Sequence, residues 1–206
     1  GIIVNREGEY EIARFSDGTI RWAFSNANPG WAWIDTGVVA EEGEWTHIAI
    51  VYDRGTIQTY KNGVLAHTYT GSGSIGDFTT GQNDFRIGGR QSIPTGQNFD
   101  GSIDEVRVWN TARTAEEVQR NFNRVLTGDE SGLQGYWRFE EVADGDPATT
   151  GNQVLDSTRN RINGTLLAAN NPGFGFGLDG SGKALITDFG VGQYRIKFKE
   201  PLGDTT

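Results

Sequence analysis

The chain has no cysteine, which excludes disulfides, thiolate metal sites and a cysteine nucleophile together. Basic residues are scarce beside acidic ones. There are 18 Lys and Arg against 27 Asp and Glu, a formal net charge of −9 and a pI near 4.7. No basic stripe is available to neutralise phosphates, so nucleic acid is not an expected partner. An acidic surface suits cations, and more often serves solubility alone. No apolar run approaches the roughly 18 residues of a membrane span, so none is expected. No signal peptide stands ahead of Gly1, and the chain reads as a processed or excised portion of a longer protein. There are 2 histidines, His47 and His67. They fall on different predicted strands, with neither metal-ligand spacing nor a Ser–Asp arrangement beside them.

What the sequence does hold is glycine (30 of 206 residues) and aromatic side chains at 11%. That mix fits many short strands joined by tight turns. The stretch EYEIARFSDGTIRWAFS reads as a hairpin about Asp17-Gly18. WTHIAIVYDRGTIQTYKNGVLAHTY repeats the device twice, turning at Asp53-Arg54-Gly55 and at Asn62-Gly63. FDGSIDEVRVWNTARTAEEVQ combines an alternating strand with a short helix. Thr114 is its predicted N-cap, Glu117 completes a capping box, and Val118, Phe122 and Val125 form one apolar stripe. Beyond Leu126 the texture becomes polar and turn-rich. One well-alternating strand remains, with Tyr194, Ile196 and Phe198 on one side and Arg195, Lys197 and Lys199 on the other. The expected organisation is a unit over residues 1–126 and an extension over residues 127–206.

These segments, in this order, resemble the laminin G-like, concanavalin A-like jelly-roll family. The matching stretches are GEWTHIAIVYDRGTIQTYKNGVLA, DFRIGGR and FDGSIDEVRVWNTARTAEEV, spread over residues 1–126. The resemblance implies an all-β sandwich with one short helix and a C-terminal strand-containing extension. LQGYWRFEE…VLDSTRNRINGTL is similar to a segment that commonly opens such domains, yet here it follows, so the first strands are missing or displaced. An open sheet edge recruits other strands. Tyr194, Ile196 and Phe198 are therefore the candidates for strand addition, within their own sheet or in a neighbouring copy.

The adjacent acids Asp104 and Glu105 raise the question of catalysis. On a regular strand they face opposite ways, which separates an acid from its base. Glycoside hydrolases of the related fold carry alternating carboxylates as Glu-x-Asp-x-Glu, and no such run is present. Glu7, Glu9 and Glu11 alternate, but they read as an exposed hairpin strand. The resemblance instead implies a structural calcium held by the Asp104 carboxylate and the Ile103 carbonyl, with Glu105 turned toward Arg107 or solvent. Trp31 and Trp33 are expected on one face of one strand, with Trp22 on the strand before. Such aromatics can stack sugar rings or fill the core. Trp45, Trp109 and Trp137 read as packing. Asn163-Gly164-Thr165 matches a glycosylation sequon.

The function expected is a non-catalytic, calcium-stabilised adhesion or recognition module, extracellular or at the cell surface. Its partner would be a carbohydrate or an extracellular protein. The alternatives are a surface-layer or filament subunit that assembles with copies of itself, and a glycoside hydrolase or lyase.

Overall fold

The structure is a computed structural model describing residues 1–79, 81, 84–92, 97–141 and 153–167, together with the backbone of two further strands, 182–184 and 193–197. In chain order the strands are β1 (Ile2–Arg6), β2 (Tyr10–Arg14), β3 (Thr19–Phe24), β4 (Ile34–Val39), β5 (Trp45–Asp53), β6 (Thr56–Lys61), β7 (Val64–Thr70), β8 (Phe85–Ile87) and β9 (Ser102–Trp109). The helix α1 (Ala115–Asn121) follows, then β10 (Leu133–Trp137), β11 (Gln153–Val154), β12 (Gly164–Leu166), β13 (Gly182–Ala184) and β14 (Gln193–Lys197). They form two antiparallel sheets, in the orders β11-β12-β13-β8-β1-β2-β3-β4 and β10-β9-β14-β5-β6-β7.

Turn chemistry sets the hairpins. Asn62 and Gly63 both take positive φ, +50° and +81°, as a two-residue turn matched to strand twist requires. Alternation along the strands then decides what lies between the sheets. Ile12, Ile20, Trp22 and Phe24 meet Ile48, Ile50, Ile57, Val106 and Val108 in one core. Burying each such side chain contributes about 1.5–3 kcal/mol. Trp137 joins them, stacked 5.6 Å from Phe85, and its indole N–H donates to Ile162 O at 3.0 Å.

The helix begins as its sequence predicts. Thr114 Oγ1 accepts the Glu117 amide, and the Glu117 carboxylate accepts the Thr114 amide. Seven residues are too few to hold a helix alone. Val118 therefore packs on Ala49, Val51 and Tyr60, on the outer face of the six-stranded sheet. The apolar stripe is shorter than expected: Val125 lies past the helix end and is exposed.

Residues beyond 126 supply strands to both sheets. β14 runs between β5 and β9, antiparallel to each, with Tyr194 opposite Ile48 and Ile196 opposite Thr46 and Ile103. β13 runs between β12 and β8. The strand-addition candidates Tyr194 and Ile196 thus pair within their own chain, while Phe198 lies outside the described residues. Asp156 fastens β10 to the following segment. Its buried carboxylate accepts the amides of Tyr136, Thr158 and Ile162 and the Thr158 hydroxyl.

Candidate functional site

Around Asp104 the strand is not regular. From Gln193 to Arg195 β14 advances two residues while β9 runs from Arg107 to Asp104, so β9 carries one extra. Glu105 has φ +57°, the mark of a β-bulge. Ile103 and Val106 consequently both enter the inter-sheet core. The simple expectation that Asp104 and Glu105 alternate between faces is overturned by that extra residue. Their surroundings still differ. Glu105 is buried, accepting from Arg107 Nη2 and Tyr136 Oη, each at 2.6 Å. Arg107 reaches on to the carbonyls of Asn121 and Arg124 and so fixes the end of α1. Burial and the neighbouring Glu105 push the Tyr136 phenol up. This is a structural clamp.

Asp104 is half-buried, and its Oδ1 accepts the Glu105 amide at 2.8 Å. Ile103 lies in a strand paired to β14. Among the described residues no group of three His, Cys, Asp or Glu side chains is placed to hold a metal ion. Of the side-chain carboxylates described there, Asp104 alone would serve a calcium ion, whose remaining oxygens would be backbone carbonyls and waters.

The tryptophans separate more sharply. Trp22 is fully buried, against Phe24 at 5.4 Å and Tyr69 at 5.6 Å, so it is a core residue and not a ligand platform. Its position on β3 next to Ile20 and Phe24 in the alternation turns it inward. Trp45, expected as packing, is 42% exposed. Trp31 and Trp33 are each 38% exposed. They precede β4 rather than lying within it, so no ladder fixes them. Side-chain contacts and loop ties fix them instead.

Trp33 belongs to the outer face of the eight-stranded sheet. Tyr10 and Ile12 point into the core, which leaves Glu11 and Ala13 outward; Trp22 and Phe24 likewise leave Arg21 and Ala23 outward. Trp33 stands edge-on to Phe15 at 5.3 Å, and the Arg21 guanidinium lies 4.3 Å over the same Phe15 ring. Arg21 Nη2 in turn bonds Asp17 Oδ2 at 2.6 Å and Asp35 Oδ2 at 3.0 Å. Hydrogen bonds from the Thr19 hydroxyl and amide hold the Asp17 carboxyl below its usual range.

Trp31 stands at the rim, edge-on to the exposed Phe78 at 4.8 Å. Its loop is tied down. Asn26 Oδ1 accepts the Gly30 amide, and Asn28 and Ser72 exchange backbone hydrogen bonds at 3.2 and 3.0 Å. The Phe78 amide donates to Gly8 O. Phe15, Phe78, Arg21 and Asp35 escaped sequence reasoning. Phe15 and Arg21 flank a legible hairpin, but nothing in the loop around Phe78 announces its ring contact.

Glu7 and Glu11, expected on an exposed hairpin strand, are buried. Arg90 reaches both, at 2.7 and 2.9 Å, and Asn5 Nδ2 donates to Glu11 at 2.8 Å. Burial, with the Glu7 charge adding and Arg90 opposing, lifts Glu11 to about 7. Burial, with Asp77 adding and Arg6 opposing, lifts Glu9 to about 7. Glu7 moves the other way: burial raises it, but hydrogen bonds from Arg90 and Ser92 outweigh that.

Residues 1–119 match a laminin G-type family model described as the concanavalin A-like lectin/glucanases superfamily. The chain belongs to this superfamily. Among solved structures, the crystal structure of a "putative carbohydrate binding protein" from Bacteroides ovatus is similar with a TM-score of 0.62 and 26% identity. The match covers 80% of this chain and 46% of that one, so the chain spans under half the length of that neighbour. No curated protein matches the chain.

Proposed function

We propose that this concanavalin A-like domain is a non-catalytic carbohydrate-binding module, and that Trp31 and Trp33 are its contact residues. The observation that carries the reading is the pair of half-exposed indoles, each held edge-on by a phenylalanine, beside the Arg21–Asp35 pair. Aromatic faces take the apolar face of a sugar ring, and neighbouring carboxylates accept its hydroxyls. The carbohydrate-binding description of the Bacteroides ovatus neighbour supports the same ligand class. Buttressed rings lose little freedom on binding, which favours affinity.

Retardation in gels containing neutral polysaccharides tests this. The intact domain is expected to be slowed by at least one polysaccharide. Trp31→Ala and Trp33→Ala should migrate freely while keeping their melting temperatures. Equal retardation of folded variants would remove this face from the reading.

An extracellular or cell-surface address and a role in adhesion belong to the same proposal, supported by the sugar-directed face. So does a structural calcium at the Asp104 carboxylate and the Ile103 carbonyl. Its support is the half-buried Asp104 side chain, and it lacks a described cluster of companion acids. A calcium-dependent rise in melting temperature, abolished by Asp104→Ala, is the expected result; no rise with calcium discards the ion.

A further inference from the structure

Resting on the carbohydrate-binding reading, we infer that the ligand is a linear, uncharged oligosaccharide of several units that lies along the exposed Trp31–Ala32–Trp33 run, from the rim to the outer face. The inference comes from where the two indoles lean. Trp31 leans on Phe78, whose amide is tied to Gly8, in the turn before β2. Trp33 leans on Phe15, the residue that follows the last position of β2. The two buttresses therefore stand near opposite ends of a five-residue strand, which spans roughly 17 Å. The Cα atoms of Trp31 and Trp33 stand at most about 7 Å apart, but the rings lean toward opposite ends of that strand and so present two platforms, which a chain of rings can engage together. The intervening Ala32 is itself exposed and carries no bulk that would interrupt a chain.

Charge decides the second half of the inference. The guanidinium beside Trp33 is already shared between Asp17 and Asp35, both about half-exposed. At the rim, Asp77 adjoins Phe78, and its Oδ1 accepts the Thr79 amide. Each platform thus stands beside carboxylates, in a chain with a net charge of −9. An anionic sugar chain meets repulsion there, while the hydroxyls of an uncharged chain find acceptors. Asp35 has its Oδ1 on the Gly37 amide and its Oδ2 on Arg21. It is therefore held in place beside the Trp33 subsite as a positioned acceptor.

The test is a calorimetric titration with gluco-, xylo- and manno-oligosaccharides of increasing length, from the monosaccharide to about six units, with oligogalacturonates as the anionic counterpart. At least one neutral series should gain about tenfold or more in affinity from the monosaccharide to the longest member. Trp31→Ala and Trp33→Ala should each remove about tenfold from the longest member and flatten the dependence on length. A monosaccharide binding as tightly as its longest oligomer overturns the extended site but leaves the carbohydrate reading standing. Tighter binding of oligogalacturonate overturns the uncharged ligand alone. No binding by any series overturns this inference, and the polysaccharide gels then decide whether the broader reading falls with it.

Discussion

On the outer face of the six-stranded sheet, Arg107 joins Glu105 to the end of α1. On the outer face of the eight-stranded sheet, Arg90 joins Glu7 and Glu11 to the chain after β8. Both are arginine–carboxylate centres, but their settings differ. The Arg107 side chain is 2% exposed, the Arg90 side chain 18%. Glu105 has a second donor in Tyr136 and lies beneath a packed helix, whereas Glu11 shares its arginine with another acid and sits lifted to about 7. The first face is covered by a helix over Ala49, Val51 and Tyr60, while Trp45 and Leu65 beside it stay exposed. The second is bordered by half-exposed indoles, and its carboxylates at Asp17 and Asp35 still meet solvent. That second face is covered at Glu11, Ala13 and Ala23 and, among the described residues, opens only around Arg21, and there a ligand has room.

The largest effect should come from removing β14, the strand that joins the two halves of the six-stranded sheet. Deleting Gln193–Lys197 separates β5 from β9 and is expected to abolish cooperative unfolding. A stable, folded monomer after the deletion would refute a central place for β14. Next come single residues. Arg107→Ala leaves the buried Glu105 with Tyr136 and the more distant, more exposed Arg138 and should cost about 3 kcal/mol in denaturant unfolding. Arg90→Ala, nearer to solvent, should cost clearly less. Equal losses would erase the distinction between the faces.

The tryptophans sharpen the same contrast with chemistry held constant. Trp22→Ala empties a fully buried volume and should cost about 3–5 kcal/mol. Trp33→Ala, outside the ladder and 38% exposed, should cost under about 1 kcal/mol. The two residues are eleven positions apart in the chain, and only exposure separates them. If Trp33→Ala unfolds the domain, its ring is part of the core.

Much of the framework was readable in advance. The turns at Asp17-Gly18 and Asn62-Gly63 and the Thr114–Glu117 box are short-range devices, written in adjacent residues. The inward turn of Trp22 was also available, since its neighbours Ile20 and Phe24 share its period. What could not be read depended on tertiary partners. Glu11 alternates like a solvent-facing residue until Arg90 and Asn5 cover it. The bulge at Glu105 arises from register with β14, some ninety residues away, and it changes the meaning of the neighbouring Asp104. The Trp31–Phe78 contact joins two loops whose sequences carry no mutual signal.

The smallest expected effect is the dependence of stability on pH. Glu9 and Glu11 hold protons more tightly when folded than their ordinary value near 4.5 implies. Their contribution is therefore complete below about 4.5 and fades as pH rises through about 7. Stability should increase on acidifying from 7 toward 5, and Glu11→Gln should remove part of that slope. Below about 4.5 the trend should turn, as Glu7, held low by Arg90 and Ser92, takes up its proton. A flat profile between 5 and 7 would contradict the burial argument for Glu9 and Glu11.

Trp31 at the rim and Trp33 near Arg21 are the indoles proposed to meet the sugar. The most direct measurement follows the indole N–H resonances of the 6 tryptophans while a bound neutral oligosaccharide is titrated in. The Trp31 and Trp33 signals should shift together and saturably. Those of buried Trp22, Trp109 and Trp137, and of exposed Trp45 on the other sheet, should stay in place. Movement of Trp45 with Trp31 and Trp33 unchanged would instead put the ligand on the six-stranded sheet.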